Sequence, residues 1–263
     1  MIYAGIDAGS RAIKVVVIKD GQIVAKGQAE QGIEQGRLAG ELFDSVLQEA
    51  GIDRPQVRYI VATGYGRNAV SIADTCVTEI TCQSLGVSRL VPQARTIIDI
   101  GGQDSKLIRL DLAGRVQDFA MNDRCAAGTG RFLEVVAHRL SVPIARLGEA
   151  AHDCKTPAPI SSMCVVFAET EIIGLLAAGR PAGQIVAGVQ RAIASRILAM
   201  AGRELQAPVV FTGGVAMIKG MDQALQTACN KPVEICPLPQ FSCALGAAIM
   251  AQRIFEQEGG VPW

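Results

Sequence analysis

The protein has 263 residues, and its 25 basic and 25 acidic side chains cancel in formal charge. Because the chain has no excess of positive charge, neither nucleic acid nor an anionic membrane surface is expected as a partner. The chain is 49% hydrophobic and 19% charged, which is typical of a globular protein with room for two cores.

The N-terminal part of the chain shows no signal peptide, because Asp7 interrupts the first apolar run. We therefore expect a cytoplasmic protein whose eight cysteines are metal ligands, redox groups or buried residues rather than disulfides. Apolar patterns predict helices at about 34–50 and 79–88, and strands at 2–6, 13–19, 22–27 and 57–62. Pro92 follows the second helix, and we place a domain boundary there, between domains 1–92 and 93–263.

The second part of the chain repeats this plan with larger insertions. Strands are predicted at 96–100, 106–111, 115–120, 208–211 and 232–236. Helices are predicted at 126–140, 165–178, 181–203, 219–229 and 242–256, the last of which could pack back on the first domain. β-Hairpins followed by crossover helices, twice, predict an α/β fold with two similar domains.

A glycine-rich turn occurs twice, about ninety residues apart, as DAGSRAIK at 7–14 and DIGGQDSK at 99–106. Each copy follows a β-rich run, and in each a lysine stands seven residues after the aspartate. Two hairpins of one design predict two like domains with a nucleotide cleft between them. The alternative is that these are ordinary turns, in which glycine and aspartate are common.

Several residues of these turns are candidates for binding ATP or ADP. Glycines at 9, 101 and 102 let backbone N–H groups approach phosphate oxygens, and the turn at 213–214 suits the sugar or α-phosphate. The predicted nucleotide-binding residues are Gly9, Ser10, Arg11, Ala12, Lys14, Gly101, Gly102, Gln103, Gly128, Gly213, Gly214 and Val215.

The acidic and amide side chains of the same turns are candidates for the hydrolytic chemistry. Asp7 and Asp99 stand at strand ends, where carboxylates suit a hydrated Mg²⁺ ion. Gln103 could orient an attacking water, and Asp104 is a further predicted catalytic residue.

Three longer segments are more specific: TGYGR at 63–67, MNDRCAAGTGRFLE at 121–134 and SSMCVVFAE at 161–169. Together with the doubled turn, they resemble the acetate and sugar kinase, Hsp70 and actin superfamily. Within it, the chain is similar over essentially its whole length to the ATP-dependent activators of 2-hydroxyacyl-CoA dehydratases. These belong to the BadF/BadG/BcrA/BcrD family, which also contains ATPase subunits of benzoyl-CoA reductase.

The resemblance implies two ribonuclease-H-like domains of the actin and Hsp70 type and an ATPase coupled to one-electron transfer. It also implies a homodimer bridged by one [4Fe-4S] cluster through Cys125 and Cys164. A ferredoxin or flavodoxin would supply the electron, and a dehydratase or related reductase with its own iron–sulfur site would receive it. A small-molecule kinase of the same superfamily and an ATP-binding redox regulator are the alternative functions.

The two cysteines are consistent with this implication on chemical grounds. Each directly precedes a predicted helix, and a helix N-terminus stabilises a thiolate. A four-iron cluster needs four thiolates, which two copies of the chain would supply. Buried packing, a redox disulfide and a zinc site shared by two copies remain as alternative interpretations of the pair.

Overall fold

The computed structural model describes residues 1–151, 154–161, 164–202, 204–257 and 259. By their contacts, the described residues form two compact units. The first contains residues 1–93 and 111–116 and the described residues from 240 onward, and the second contains the described residues of 94–110 and 117–239. No helix in the described part of the chain has the length and apolar character that crossing a membrane requires.

The elements follow one another along the chain as mixed strands and helices. The strands are β1 (Ile2–Ala8), β2 (Ala12–Lys19), β3 (Gln22–Glu30), β4 (Val57–Thr63), β5 (Thr75–Cys76), β6 (Thr96–Ile100), β7 (Ser105–Leu110), β8 (Val116–Asn122), β9 (Val209–Thr212) and β10 (Val233–Ile235). The helices are α1 (Gln35–Glu49), α2 (Glu79–Leu90), α3 (Gly130–Leu140), α4 (Ile144–Ala150), α5 (Val165–Ala177), α6 (Ala182–Ala201), α7 (Met221–Cys229) and α8 (Ser242–Gln257).

The first unit is built on a sheet with the strand order β3-β2-β1-β4-β5. The first three strands are antiparallel neighbours, and β4 and β5 add in parallel beside β1. One face of the sheet packs on α1 in a core that includes Ile6, Val15 and Phe43. The other face packs on α8, which contacts β1, β4 and α2.

Close packing of α8 on the sheet depends on Gly5 of β1. A Cβ at that position would lie 2.1 Å from the carbonyl oxygen of Ala244 on α8, well inside van der Waals contact. The glycine therefore lets the helix backbone approach the central strand, and it fixes the height of α8 above the strand that carries Asp7.

The second unit repeats the sheet, with the order β8-β7-β6-β9-β10. β6 and β7 are antiparallel, whereas β9 and β10 are parallel to β6 and to each other. A continuous core that includes Phe132, Ile193 and Phe211 joins this sheet to its helices. The predicted α/β class and the doubled sheet plan are therefore confirmed.

The structure differs from the sequence-based prediction after Cys125. The predicted helix at 126–140 is wrong in its first turn, because residues Ala126–Gly128 form a 3-10 helix and α3 begins at Gly130. Thr129 is the N-cap of α3 and accepts a hydrogen bond from the Arg131 N–H at 3.3 Å. Cys125 is thus the N-cap residue of a three-residue 3-10 helix, whereas the sequence predicted that it precedes an α-helix.

Smaller differences lie elsewhere. The sequence patterns did not predict β5 or α4, and the glycine turn at 213–214 leads into a 3-10 helix, Gly214–Met217, before α7. The predicted end of the long helix at residue 203 lies outside the described residues, as do residues 162 and 163 of the segment around Cys164.

Candidate functional site

In the first unit, an ion pair lies at the base of the turn between β1 and β2. Asp7 and Lys14 are opposite each other in the antiparallel register, and Lys14 Nζ lies 3.2 Å from Asp7 Oδ2. The Gly9 N–H donates to the Ala12 carbonyl at 3.1 Å, and Gln31 Nε2 donates to the Gly9 carbonyl at 2.9 Å. These contacts hold the backbone of the predicted phosphate turn in one conformation.

The second oxygen of Asp7 is buried and has no hydrogen-bond partner among the described residues. An unpaired buried carboxylate oxygen is costly unless water or a cation satisfies it. A hydrated Mg²⁺ ion is a suitable partner, because it binds through few protein carboxylates and keeps several of its waters. The residues of this turn therefore fit the predicted Mg²⁺ ion.

The end of β4 closes over Asp7. Thr63 is paired with Asp7 in the parallel register of β1 and β4, and Gly64 follows it with a φ of +87°. A Cβ on Gly64 would lie 2.4 Å from Asp7 Oδ1. Only glycine adopts this conformation and leaves room for the carboxylate at the same time.

The second unit carries the same design with a different pairing of charges. Lys106 Nζ lies 2.7 Å from Asp104 Oδ2 and 3.9 Å from Asp99 Oδ2, and its side chain is only 2% exposed. The Gly101 N–H donates to the Asp104 carbonyl at 2.9 Å. Asp104, a predicted catalytic residue, is therefore an ion-pair partner of a buried lysine, whereas the Gln103 side chain is exposed.

The end of β9 repeats what the end of β4 does in the first unit. Thr212 is paired with Asp99 in the register of β6 and β9, and Gly213 follows with a φ of +87°. A Cβ on Gly213 would lie 2.4 Å from Asp99 Oδ1. The repeat thus extends beyond the two turns to a threonine and a glycine in each unit.

Thr63 and Gly64 were not among the residues predicted for the candidate site. The signal was present, because a Thr-Gly pair ends a strand in both halves of the chain, at 63–64 and at 212–213. The structure shows that both pairs contact an aspartate of the doubled turn through the same register.

The first turn of α3 supports the turn between β6 and β7. The N–H groups of Gly130 and Arg131 donate to the carbonyls of Gly101 and Gly102, each at 2.9 Å. Among the other predicted nucleotide-binding residues, Ser10 and Ala12 are partly buried, Arg11 and Gly214 are exposed, and Val215 is buried. Ser10, Arg11 and Ala12 belong to the first unit, and Gly214 and Val215 to the second.

Gly128, also a predicted nucleotide-binding residue, lies beside Cys125. A Cβ on Gly128 would lie 3.2 Å from Cδ of Arg196 and 3.3 Å from Nδ2 of Asn122. Asn122 Nδ2 donates to the Cys125 carbonyl at 2.8 Å, and the Cys125 N–H donates to Asn122 Oδ1 at 3.1 Å. Gly128 therefore belongs to the group of residues that holds the Cys125 loop.

The Cys125 sulfur is partly buried and accepts a hydrogen bond from Arg196 Nη1 at 3.0 Å. Cys164 is exposed and is the N-cap residue of α5, as the sequence predicted. Cys125 thus lies against a guanidinium, and Cys164 lies at the N-terminus of a thirteen-residue helix.

The remaining cysteines lie in other settings. Burial raises the pKa of Cys82 to about 12, and burial also raises the pKa of Cys236. Such thiols stay protonated at neutral pH and serve as packing groups. Among the described residues, no three or more His, Cys, Asp or Glu side chains come together as a group that could hold a metal ion.

One face of α5 exposes apolar side chains to solvent. Val166, Phe167 and Ile173 are each more than two-fifths exposed, on the helix that begins at Cys164. An exposed phenylalanine and its aliphatic neighbours at helical spacing form a small apolar patch, and such patches are common at protein–protein contacts.

The comparisons with known proteins agree with this geometry. The sequence profile of the BadF/BadG/BcrA/BcrD ATPase family matches residues 4–251. The activator of lactoyl-CoA dehydratase from Anaerotignum propionicum is 43% identical over 259 residues, which are 98% of this chain and 100% of that protein.

Two solved structures are similar over nearly the whole chain. The activator of the 2-hydroxyisocaproyl-CoA dehydratase from Clostridium difficile, with bound ADPNP, is 38% identical, with 99% of this chain and 98% of that chain covered and a TM-score of 0.93. Component A of the (R)-2-hydroxyglutaryl-CoA dehydratase from Acidaminococcus fermentans is 40% identical, with 97% and 98% covered and a TM-score of 0.91. The predicted actin- and Hsp70-type fold and the ATPase class are confirmed, and the chain belongs to the BadF/BadG/BcrA/BcrD ATPase family.

Proposed function

We propose that this protein is an ATP-hydrolysing activator that passes one electron to a 2-hydroxyacyl-CoA dehydratase or to a related low-potential reductase. The observation that carries the proposal is the near full-length similarity to three proteins named as activators or components of such dehydratases. The two cysteines Cys125 and Cys164 and a doubled Asp–Lys turn are the groups that this function needs.

The turns of both units are proposed to bind phosphate oxygens of ATP. The N–H groups of Gly9 and Gly101 donate to the Ala12 and Asp104 carbonyls and hold the two turn backbones in place, and Lys14 adds positive charge beside the first turn. In the related Clostridium difficile activator, ADPNP is the bound nucleotide. ATP and ADP are therefore the nucleotides proposed for this chain.

Asp7 is proposed to hold the hydrated Mg²⁺ ion, because one of its oxygens is buried and has no hydrogen-bond partner among the described residues. Asp99, which is also buried, is proposed as a further residue of the hydrolytic chemistry. The exposed Gln103 side chain is proposed to orient the attacking water. Asp104 is proposed to act through Lys106, whose ammonium it contacts at 2.7 Å.

Cys125 and Cys164 are proposed to be cluster ligands, with two copies of the chain supplying four thiolates to one [4Fe-4S] cluster. When bound, such a cluster accepts and releases single electrons at low potential. The apolar face of α5 supports the homodimer, because a second copy would bury Val166 and Phe167 beside the exposed Cys164. We further propose a cytosolic protein that receives its electron from a ferredoxin or flavodoxin.

The first test is to purify the protein anaerobically and to measure iron, sulfide and solution mass. We expect about four iron and four sulfide per dimer. Cys125→Ser and Cys164→Ser should each lose the cluster while the circular dichroism spectrum stays unchanged. Cys229→Ser and Cys76→Ser are controls matched in exposure to these two residues, and both should keep it.

A protein that stays monomeric and free of iron after anaerobic reconstitution would contradict the proposal. So would full iron content in both ligand variants. With the cluster established, ATP-dependent reduction of a purified 2-hydroxyacyl-CoA dehydratase tests the function itself, and ATP hydrolysis without electron transfer would favour a redox regulator.

A further inference from the structure

A guanidinium lies against the Cys125 sulfur and is not part of the function described so far. Arg196 is on α6, 71 residues further along the chain, and its Nη1 lies 3.0 Å from the sulfur. An arginine side chain stays protonated under all conditions in which proteins fold, so its positive charge next to this sulfur is permanent.

The position of Arg196 is fixed from several sides. α6 is a twenty-residue helix, and the neighbouring residues Ile193 and Ile197 are fully buried. The aliphatic part of Arg196 fills the space that a Cβ on Gly128 would need, 3.2 Å from its Cδ. The guanidinium therefore reaches Cys125 from a rigid element that packs on the loop beside it.

The Cys125 loop is held separately through its backbone. Asn122 contacts both the N–H and the carbonyl of Cys125, at 3.1 and 2.8 Å. Because Asn122 already fixes the backbone, the contact from Arg196 is directed at the sulfur. Asn122 thus contacts the backbone of Cys125, and Arg196 contacts its sulfur. A contact to the sulfur is the kind that tunes the electronic state of a metal ligand.

We propose that Arg196 is a positioning residue for the cluster, whose guanidinium donates a hydrogen bond to the Cys125 thiolate and favours the reduced cluster. The inference rests on the proposed function, since it requires Cys125 to be a ligand. Reduction adds one electron and thus one negative charge. A fixed positive charge and a hydrogen bond to sulfur stabilise that state more than the oxidised state and raise the midpoint potential.

The same helix offers a matched control. Arg191 and Arg196 both line a cavity of about 600 Å³ beside the Cys125 loop. Arg191 is exposed, whereas Arg196 is partly buried and contacts the sulfur. Replacing either arginine by glutamine removes one positive charge from the same cavity, but only Arg196→Gln removes the hydrogen bond to Cys125.

The experiment is an anaerobic redox titration of the reconstituted dimer, followed by electron paramagnetic resonance of the reduced cluster. Wild type, Arg196→Gln, Arg196→Lys and Arg191→Gln are compared after iron content and ATP hydrolysis have been measured for each. For Arg196→Gln we expect on the order of a tenfold lower ratio of reduced to oxidised cluster at a fixed potential, equivalent to about 59 mV for one electron. Arg196→Lys keeps the charge and should shift less, and Arg191→Gln should remain close to wild type.

The outcomes separate the inference from the proposed function. Equal midpoint potentials in wild type and Arg196→Gln, both with full iron, would overturn the role of Arg196 and leave the activator function intact. An equal shift in Arg191→Gln would also overturn it, because the effect would then be a general one of charge. Loss of the cluster in Arg196→Gln but not in Arg196→Lys would overturn the redox role, because the charge would then be needed to hold the cluster itself. A wild type that takes up no iron would overturn both proposals.

Discussion

The two Asp–Lys turns share a backbone design and differ in the surroundings of their charges. In the first unit the Lys14 side chain is 17% exposed and lies 3.2 Å from Asp7, whose second oxygen has no hydrogen-bond partner among the described residues. In the second unit Lys106 is only 2% exposed and lies between two carboxylates. A repeated hairpin has thus acquired two electrostatic environments.

This difference indicates separate roles for the two turns. The carboxylate of the first turn has a buried oxygen without a hydrogen-bond partner among the described residues, and a cation or its waters would satisfy it. In the second turn, the buried ammonium of Lys106 is within ion-pair distance of Asp104 and Asp99, and the Gly101 N–H closes the hairpin. We therefore expect substitutions in the first turn to weaken metal binding most. Substitutions in the second turn should lower the free energy of unfolding most.

The largest expected effect is on stability, from Lys106→Met. The substitution would leave Asp104 and Asp99 buried without their ammonium, and breaking a buried ion pair costs about 3–5 kcal/mol. Lys14→Met is the matched change in the first unit and should cost less, about 1–3 kcal/mol, because Asp7 is buried but Lys14 is more exposed than Lys106. Urea unfolding gives the free energies, and hydrogen exchange in β6 and β7 assigns the loss to the second unit.

Equal losses for Lys106→Met and Lys14→Met would contradict the difference drawn between the turns. A second variant, Lys106→Arg, keeps the charge and should recover part of the lost stability. If it is as unstable as Lys106→Met, packing rather than charge is the property that matters at this position.

The next largest effect concerns ATP hydrolysis. Asp7→Asn keeps the size of the side chain but removes the negative charge that is proposed to hold Mg²⁺. We expect kcat/KM for ATP to fall roughly a hundredfold, which corresponds to about 2.7 kcal/mol, and the Mg²⁺ concentration at half-maximal rate to rise. Asp104→Asn should lower kcat/KM by tenfold or less, since Asp104 contacts Lys106 rather than a proposed cation site.

The measurement is steady-state hydrolysis over a range of Mg²⁺ concentrations, together with the iron content of each variant. Asp7→Asn should keep its cluster, because Asp7 and the two cysteines are in different units. A loss for Asp104→Asn as large as that for Asp7→Asn would give Asp104 a direct role in the chemistry instead of one through Lys106. An unchanged Mg²⁺ dependence in Asp7→Asn would contradict the proposed cation site.

The sequence predicted the repeated parts of the fold well, because local patterns determine them. β1 and β6 are continuous apolar strands followed by a glycine turn, and their lysine partners recur at the same spacing. The sequence did not reveal α4, which has only seven residues, or β5, whose two residues pair only with β4. Such short elements carry too little periodic pattern to be recognised.

The site was predicted less completely than the fold. The contact between Arg196 and Cys125 joins residues 71 positions apart, and no local pattern indicates it. Gly128 stands in a glycine-containing segment that is typical of a phosphate turn. Its position against the aliphatic part of the Arg196 side chain depends on how α6 packs. Thr129 starts α3 four residues later than the helical pattern suggested, because its side chain caps that helix.

The smallest expected effect tests how far the repeat extends. Gly64 and Gly213 share a φ of +87°, and a Cβ on either would lie 2.4 Å from an aspartate oxygen. Alanine at each position should therefore cost a similar amount, about 2 kcal/mol of unfolding free energy. Gly214→Ala is the control, because it has open space around it and no positive φ, and its cost should stay below about 1 kcal/mol.

Urea unfolding of the three glycine variants measures how much each unit depends on the shared backbone geometry. ATP hydrolysis of the same variants measures whether the two units also differ in their electrostatic role. Similar stability losses for Gly64→Ala and Gly213→Ala would show that both units depend on the same close approach to an aspartate. If the two units also differ in role, Gly64→Ala should raise the Mg²⁺ requirement more than Gly213→Ala, since it displaces the carboxylate whose second oxygen is proposed to face the cation. Losses that differ several-fold between the two glycines would mean that the same close approach to an aspartate carries a different energetic cost in the two units.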